Sequence, residues 1–390
     1  MIDYAQKYPF LFTLPPLISG VIIGSQIDID CRFSALFCCV IILSMVAIRK
    51  FCSTNALLII YPPIIIFIGI IASQTDPGNL LNLAKVTSLN ISHISADIRE
   101  WLIAKNQSII KDETNCALSN AITLGYRQQL PSQIKTLFNR CGVMHIVAVS
   151  GLHVGVIYLM ITKCLSYLKI PNRTRKIFAI ILIWAYTFIV GMPQSVIRAS
   201  AILTYITIAE NGNKSYSSLN GIFACAFITT LISPQSIKQV SFQLSYAAYI
   251  GIATLFPLFS PAKKGGNKYL QKVIASIAIS VAAQLSTMPI TLHYFHGAST
   301  NSFILNLIVI PLLSILLYSN IFALILPWPL SIILGEVTNF TCSLIINVTR
   351  LLEPMNIYIG DININPASMV VYYLAIFLIF YTLSAKRRVL

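Results

Sequence analysis

Charged residues are scarce in this sequence. Only 10% of its 390 residues are Asp, Glu, Lys or Arg, whereas 56% are hydrophobic. Soluble domains contain about 25% charged and about 45–50% apolar residues, so this composition excludes an ordinary globular domain. Apolar runs recur along the chain instead, which indicates an all-α polytopic membrane protein. The first run lacks a basic flank and a cleavage site, so we interpret it as a retained span.

Motifs for metal binding and catalysis are also missing. The chain has 5 histidines and 9 cysteines but no C-x-x-C, H-E-x-x-H or G-x-S-x-G pattern. The scattered cysteines therefore predict neither a disulfide framework nor a zinc site. No nucleotide-binding loop is present, so any driving force must come from a gradient, the membrane potential or a partner. We expect no enzyme activity, no cofactor and no metal.

Acidic residues are the rarer charge. The 12 acidic residues stand against 27 basic ones, which gives a net charge of +15. Basic clusters at 49–50, 169–176, 263–272 and 386–388 lie between or after apolar runs. If the runs cross the bilayer alternately, the positive-inside rule places all four clusters, and both termini, in the cytoplasm.

About twelve apolar runs are candidate transmembrane or re-entrant helices, several of them with helix-breaking residues. They lie at 9–26, 33–48, 55–72, 145–168, 177–192, 194–209, 216–232, 240–258, 273–292, 302–326, 331–350 and 368–385. The tenth and eleventh runs are also candidates for a re-entrant pair, because no charge marks the turn "PWPL" between them.

One sizeable segment, 73–143, is not a membrane run. Ile91, Ile94, Ile98 and Leu102 recur at spacings of three and four, which predicts an amphipathic helix suited to the membrane surface. Short helices follow, with a turn near Pro131. The chain thus divides into an N-terminal three-helix membrane region (1–72), a short extracytoplasmic helical segment (73–143), a large membrane domain (144–385) and a basic cytoplasmic tail (386–390).

Polar residues inside the apolar runs mark candidate functional positions, because a polar group in the bilayer is costly. They form four clusters, at 145–155, 191–200, 240–252 and 283–311. The candidates are His145, Ser150, Gly151, His153, Gly155, Arg198, Gln243, Ser245, Gln284, Pro289 and His293.

The first cluster, "MHIVAVSGLHVGVIY", allows a catalytic or a metal-binding interpretation. Ser150 and His153 share one helix face as a nucleophile and base would, but no intramembrane Asp is placed to orient the histidine. His145 and His153 lie about two helical turns apart, but no acidic or thiolate partner recurs at ligand spacing.

A third interpretation treats the cluster as the lining of a path for a polar substance. Gly151 and Gly155 loosen the helix, although small residues there also permit close helix packing. An interrupted helix presents N–H groups and the positive end of its dipole to an anion. We expect Pro193 and Pro289 to interrupt two further helices in the same way. This interpretation accounts for all four clusters together.

In their residue sequences and in their order along the chain, the clusters resemble motifs of the ComEC-type competence proteins. The motifs are "ALSNAITLG", "FNRCGVMHIVAVSGLHVGVI", "GMPQSVIRA", "VSFQLSYAAYIGI" and "AQLSTMPITLHYFHGAS", within about 117–325. The resemblance implies a channel in the bacterial plasma (inner) membrane that carries single-stranded DNA into the cell during natural transformation. The region 144–385 would then be a competence-type channel domain. The resemblance puts weight on His145, Ser150, Gly151, His153, Arg198, Gln243, Ser245, Gln284 and Pro289.

The resemblance also implies partners. These are single-stranded DNA, membrane lipids and other competence proteins, namely a DNA receptor, a nuclease and a cytoplasmic DNA translocase. A homodimer is a further expectation, because one domain needs a second to enclose a strand. Full-length members usually carry an OB-fold-like and a metallo-β-lactamase-like domain. We expect both to be lacking here, since 73–143 is short and helical and no H-x-H-x-D-H pattern is present.

Two rival hypotheses remain open from the sequence. One is a secondary transporter or exporter of a small anionic solute, which interrupted helices and Arg198 would also suit. The other is a remnant that inserts into the membrane without transporting anything.

Overall fold

The computed structural model describes residues 9–26, 54–74, 77–211, 218–259, 268–299, 302–355, 358–360 and 364–389. The predicted span at 33–48, the basic cluster at 49–50 and part of the cluster at 263–272 lie outside these ranges.

The described residues form fifteen α-helices, two 3₁₀ turns and one pair of short strands. The helices are α1 (Pro9–Gly24), α2 (Thr54–Gln74), α3 (Pro77–Ile109), α4 (Glu113–Leu124), α5 (Ser132–Arg140), α6 (Met144–Val147), α7 (Gly151–Tyr167), α8 (Asn172–Ile189), α9 (Gln194–Asn211), α10 (Ser218–Ile232), α11 (Val240–Phe259), α12 (Lys268–Phe295), α13 (Ser302–Ile325), α14 (Leu330–Leu352) and α15 (Pro366–Val389). The 3₁₀ turns are Pro234–Lys238 and Glu353–Met355, and β1 (Gly297–Ser299) pairs antiparallel with β2 (Tyr358–Gly360).

The predicted all-α membrane class is confirmed. Four described helices are long and apolar enough to cross a membrane: Val240–Phe259, Ile274–Phe295, Ile304–Ile325 and Leu330–Met355. The last two correspond to the runs at 302–326 and 331–350, so each member of that pair has the length of a full span. Twelve spans and cytoplasmic termini stay predictions.

The chain forms two compact units, and the first comprises residues 1–90 and 201–246. In this unit α1 packs closely against α2 through glycines. A Cβ added at Gly20 would overlap the backbone of Ile66, and one at Gly69 would overlap the carbonyl oxygen of Leu17. Small residues allow this approach, which maximises van der Waals contact where no hydrophobic effect drives helix association.

The second unit comprises residues 91–200 and 247–390. Its core joins α4 and α5 to α13 and α14, with Leu118, Phe138, Leu316 and Ile345 fully buried. Helix α4 is buried from Asn115 to Leu124, although the sequence indicated only a short helix in a non-membrane segment. The structure therefore makes α4 a central element of this unit.

Buried polar side chains hold α4 in place. Asn106 Nδ2 of α3 donates to Asn120 Oδ1 at 2.8 Å, and Asn320 Nδ2 of α13 donates to the hydroxyls of Ser119 and Thr123. All five side chains are at most 1% exposed. Hydrogen bonds between polar groups offset the cost of burying them in an apolar interior, so these bonds specify how the helices associate.

The predicted helix over 91–102 is present as part of α3. Ile94, Ile98 and Trp101 are exposed, whereas Ile103 and Asn106 are buried within the second unit. Its placement on a membrane surface stays a prediction.

Candidate functional site

The run predicted as one span at 145–168 is interrupted near its start. Helix α6 ends at Val147, Ala148 and Ser150 have extended backbone, and α7 begins at Gly151. The interrupted helix that the path interpretation expects is therefore present, and the interruption lies where the serine and the first glycine of the cluster stand. Such a break leaves the first N–H groups of α7 without carbonyl partners within the helix, and a helix N-terminus attracts negative charge.

Ser150 and His153 close the N-terminus of α7 as a capping box. The backbone N–H of His153 donates to the Ser150 side chain, and the backbone N–H of Ser150 donates to His153 Nδ1 at 3.2 Å. Ser150 Oγ lies 2.9 Å from the same Nδ1. This geometry explains the Ser–His spacing by helix capping, with His in the place that Glu or Gln usually takes.

The capping box determines which ring nitrogen of His153 carries the proton. Because Nδ1 accepts from a backbone N–H, the neutral ring carries its proton on Nε2. The His153 side chain is 0% exposed, and the backbone of Ile146 lies close enough to its ring to interact with it. Among the described residues, no carboxylate acts on this ring as the Asp of a Ser-His-Asp triad would, so the geometry does not favour the hydrolase interpretation. His145, on α6, is exposed and close enough to His153 for electrostatic interaction.

The two glycines of the motif have different surroundings. A Cβ added at Gly151 would lie 2.7 Å from Tyr249 Oη and 3.4 Å from the Cβ of Ala199, so this glycine permits close packing of α7 on α9 and α11. A Cβ added at Gly155 would meet no described atom within 4 Å. The close-packing explanation therefore holds for Gly151 and is wrong for Gly155, which borders open space.

Replacing these two glycines by alanine is expected to have opposite effects. Gly151→Ala should lower the free energy of unfolding by about 1–3 kcal/mol, because the added methyl group overpacks against Tyr249. Gly155→Ala should raise it by about 0.5–1 kcal/mol, because alanine favours a helix interior and meets nothing. Denaturant titration of both detergent-purified variants measures the difference. Destabilisation of equal size at both positions would contradict this account.

Arg198 lies on the helix that packs against the break. Ser195 Oγ donates to the carbonyl of Val149 at 3.0 Å, and Ala199 faces Gly151, so α9 contacts both sides of Ser150. Between these two contact residues, Arg198 is 1% exposed and is the largest fully buried side chain of the described residues. A guanidinium keeps its charge under all ordinary conditions. The structure thus buries a permanent cation in the helix that supports the α6–α7 break.

The two prolines of the motifs behave differently. At Pro193 the interruption occurs as expected, since α8 ends at Ile189 and α9 begins at Gln194, with a left-handed Gly191 between them (φ 85°). At Pro289 the expected interruption is wrong, because α12 runs continuously from Lys268 to Phe295. The carbonyl that Pro289 leaves without its helical donor, that of Leu285, accepts a hydrogen bond from Tyr372 Oη at 2.9 Å.

Gln284 and His293 bind structural partners in the second unit. Gln284 Nε2 donates to Ser302 Oγ at 2.9 Å, which joins α12 to the start of α13. His293 Nδ1 donates to the carbonyl of Ile364 at 2.7 Å. Ser302 also lies against Gly142, where an added Cβ would be 2.9 Å from the Ser302 Cβ. The chain leading into α6 is therefore in contact with the start of α13.

Gln243 and Ser245 lie on the part of α11 that belongs to the first unit. Gln243 Nε2 donates to the carbonyl of Ile237 at 3.1 Å, which fixes the 3₁₀ turn that precedes α11. Ser245 is half-buried. Their roles as lining residues stay predictions.

The described ranges contain no group of three or more His, Cys, Asp or Glu side chains arranged to hold a metal ion. Cys141 is the thiol nearest in sequence to the α6–α7 break. Burial raises its pKa, and the carboxylate of Glu353 adds to the increase. This thiol therefore stays protonated at neutral pH, which is the form that does not bind metals.

Several important residues carried no sequence signal that we used. Gly251, Tyr249, Tyr372 and Asn320 each make a specific contact between helices of the second unit. Tyr249 and Gly251 lie within the third polar cluster but were not singled out there, whereas Tyr372 and Asn320 lie outside the four clusters.

An all-α fold with several spanning helices, interrupted next to a buried arginine, defines a membrane protein with a polar site among its helices. The chain belongs to the Competence protein family, whose sequence model matches residues 122–386. This match confirms the resemblance to ComEC-type proteins and includes α6, α7, α9, α11 and α12.

Three curated relatives illustrate the similarity. ComE operon protein 3 of Bacillus subtilis is 23% identical over 77% of this chain and 38% of its own length. An uncharacterized protein of Aquifex aeolicus is 27% identical over 57% of this chain and 50% of its own. Recombination protein 2 of Haemophilus influenzae is 23% identical over 57% of this chain and 30% of its own. The chain thus spans at most half the length of these relatives. No solved structure matches it.

Proposed function

We propose that this chain forms an inner-membrane channel through which single-stranded DNA enters the cytoplasm during natural transformation. The observation that carries the proposal is the Competence family match over 122–386, which includes the break at 148–150 and Arg198. The similarity to ComE operon protein 3 and to Recombination protein 2, the second of which is named for a process that acts on DNA, agrees with it.

The chemistry of the site supports a polyanionic substrate. Each nucleotide of a single strand brings one phosphate charge into a region of low dielectric constant, where buried charges are costly. The guanidinium of Arg198 and the N-terminus of α7 both attract negative charge. Open space beside Gly155 leaves room next to this N-terminus. In this proposal the residues bind and guide a strand without chemical change, so the chain acts as a channel and not as an enzyme.

The proposal extends to the surroundings of the channel. A DNA receptor and a nuclease deliver the strand, a cytoplasmic translocase draws it in, and a second copy of the chain completes the enclosure. The basic loop at 169–176 meets the strand on the cytoplasmic side, where both termini also lie.

A transformation assay tests the function directly. The chain is expressed in a transformable bacterium that lacks its own competence membrane protein, and fluorescent DNA that reaches the cytoplasm is counted per inserted molecule. We expect the native chain to restore uptake and the exposed-residue variant His93→Ala to match it. Because the relatives are longer, the assay is repeated with the non-matching parts of ComE operon protein 3 supplied in trans. Uptake at the level of the null strain in both arms would refute the proposal, and flux of a small anion in liposomes would favour a solute transporter.

A further inference from the structure

Helix α12 continues through Pro289, although a proline has no N–H to donate to the carbonyl four residues earlier. That carbonyl belongs to Leu285. In a membrane no water is available to replace the lost donor, so an unpaired carbonyl is costly. Tyr372 of α15 provides a donor, because its Oη lies 2.9 Å from the Leu285 carbonyl oxygen.

The next residue of α15 makes a second bond of the same kind. Tyr373 Oη donates to the carbonyl of Ser286 at 2.9 Å. This carbonyl differs from that of Leu285, since Ile290 has an N–H to give to it and a carbonyl can accept two hydrogen bonds. Both tyrosines are half-buried, with their ring planes nearly perpendicular at 85°.

The segment that the tyrosines hold is in contact with three helices. Gln284 binds Ser302 of α13, Ser286 faces Gly251 of α11, and the carbonyls of 285 and 286 bind α15. Beyond Pro289, His293 binds the carbonyl of Ile364, just before α15. The C-terminal helix and its leading segment therefore bind α12 on both sides of the proline.

We propose that α15 is a clamp for α12 and that Tyr372 is the positioning residue that replaces the hydrogen bond removed by Pro289. The hydroxyl keeps α12 continuous where a proline would otherwise break it, and so fixes the positions of Gln284 and His293. The consequence for transport rests on the proposed channel function, whereas the consequence for stability does not.

A double-mutant cycle between residues 372 and 289 tests the clamp. Tyr372→Phe removes the donor and leaves the Leu285 carbonyl unpaired, which should lower the ratio of folded to unfolded protein by about tenfold. In a Pro289→Ala background the N–H of residue 289 can serve the same carbonyl, and Tyr372→Phe should then change the ratio by less than about twofold. If Pro289→Ala does not accumulate, Pro289→Leu restores the same N–H. Equal effects of Tyr372→Phe in both backgrounds would overturn the proposal.

The neighbouring tyrosine is the matched control. Tyr373→Phe removes a bond that does not depend on Pro289, so its effect should be the same in both backgrounds. Tyr167→Phe, at a site 75% exposed, should have none.

DNA uptake per inserted molecule then tests the positioning role. We expect Tyr372→Phe to lower uptake at least about fivefold and Pro289→Ala to restore it in the double variant. If the stability effects of residues 372 and 289 are coupled but Tyr372→Phe takes up DNA as well as the native chain, the positioning role is overturned. Failure of the native chain to take up DNA would instead refute the channel function, and the stability cycle would still decide the clamp.

Discussion

Replacing Arg198 by glutamine is expected to reduce DNA uptake about 100-fold at equal abundance in the membrane. The side chain is 1% exposed and lies between two residues that contact the α6–α7 break. A cation there offsets the phosphate charge where a charge costs about 2.5–3.5 kcal/mol, and about 1.4 kcal/mol corresponds to a factor of ten. Uptake of fluorescent DNA per inserted molecule measures the loss.

The control for this prediction is Arg350→Gln, which removes an arginine at an exposed position of α14. A second readout separates a channel role from a purely structural one. In planar bilayers with a salt gradient, the preference for anions over cations should fall in Arg198→Gln and persist in Arg350→Gln. Normal uptake by Arg198→Gln, or a loss explained entirely by reduced abundance, would contradict the assignment.

Gly251→Ala is expected to disrupt the association of α11 with α12. An added Cβ would overlap the Oγ and Cβ of Ser286 and would lie 2.9 Å from the carbonyl oxygen of Ala282. Because Ser286 is buried and Ala282 contributes backbone, the helices must separate. Overpacking of this kind costs about 1–3 kcal/mol or more. The free energy of unfolding, measured by denaturant titration, and the abundance of the protein in the membrane should both fall.

A size exchange tests whether the contact itself is responsible. Ser286→Gly removes the two side-chain atoms that the new methyl group would overlap. The double variant Gly251→Ala/Ser286→Gly should therefore recover most of the lost stability. The remaining loss comes from the close contact with the Ala282 carbonyl oxygen, which the exchange does not relieve. Gly251→Ala/Ser276→Gly places the new glycine at an exposed position of the same helix and should recover none. Recovery by both pairs would show that helix propensity, and not the contact, causes the effect.

Helix existence and bounds were predictable where apolar runs are continuous. The runs at 302–326 and 331–350 correspond to Ser302–Ile325 and Leu330–Leu352, within two residues at each end. Burial of apolar side chains along an uninterrupted run leaves the backbone no alternative to a helix in a membrane. The interruption in the first cluster was also predictable, because glycines and histidines are unusual in such runs.

Predictions failed where a residue's effect depends on a distant neighbour. Pro289 was expected to interrupt α12, but Tyr372, on the last helix of the described residues, supplies the missing donor. Close packing was an open alternative for both Gly151 and Gly155, and only the structure shows that it applies to Gly151 alone. The short helix α4 was predicted, but its central place in the second unit was not, because that place depends on the bonds that Asn106 and Asn320 make to it.

The sequence by itself determined the membrane class, most of the helices and the competence motifs, because these depend on local hydrophobicity and on residue order. The tertiary structure alone decided that Arg198 is buried on the helix that contacts the α6–α7 break, and that two tyrosine hydroxyls of α15 bind the carbonyls of α12 next to Pro289. Both features depend on groups far apart in the chain. Local periodicity carries no information about such contacts. It indicates which face of a helix is apolar, but it does not indicate which other helix packs against that face.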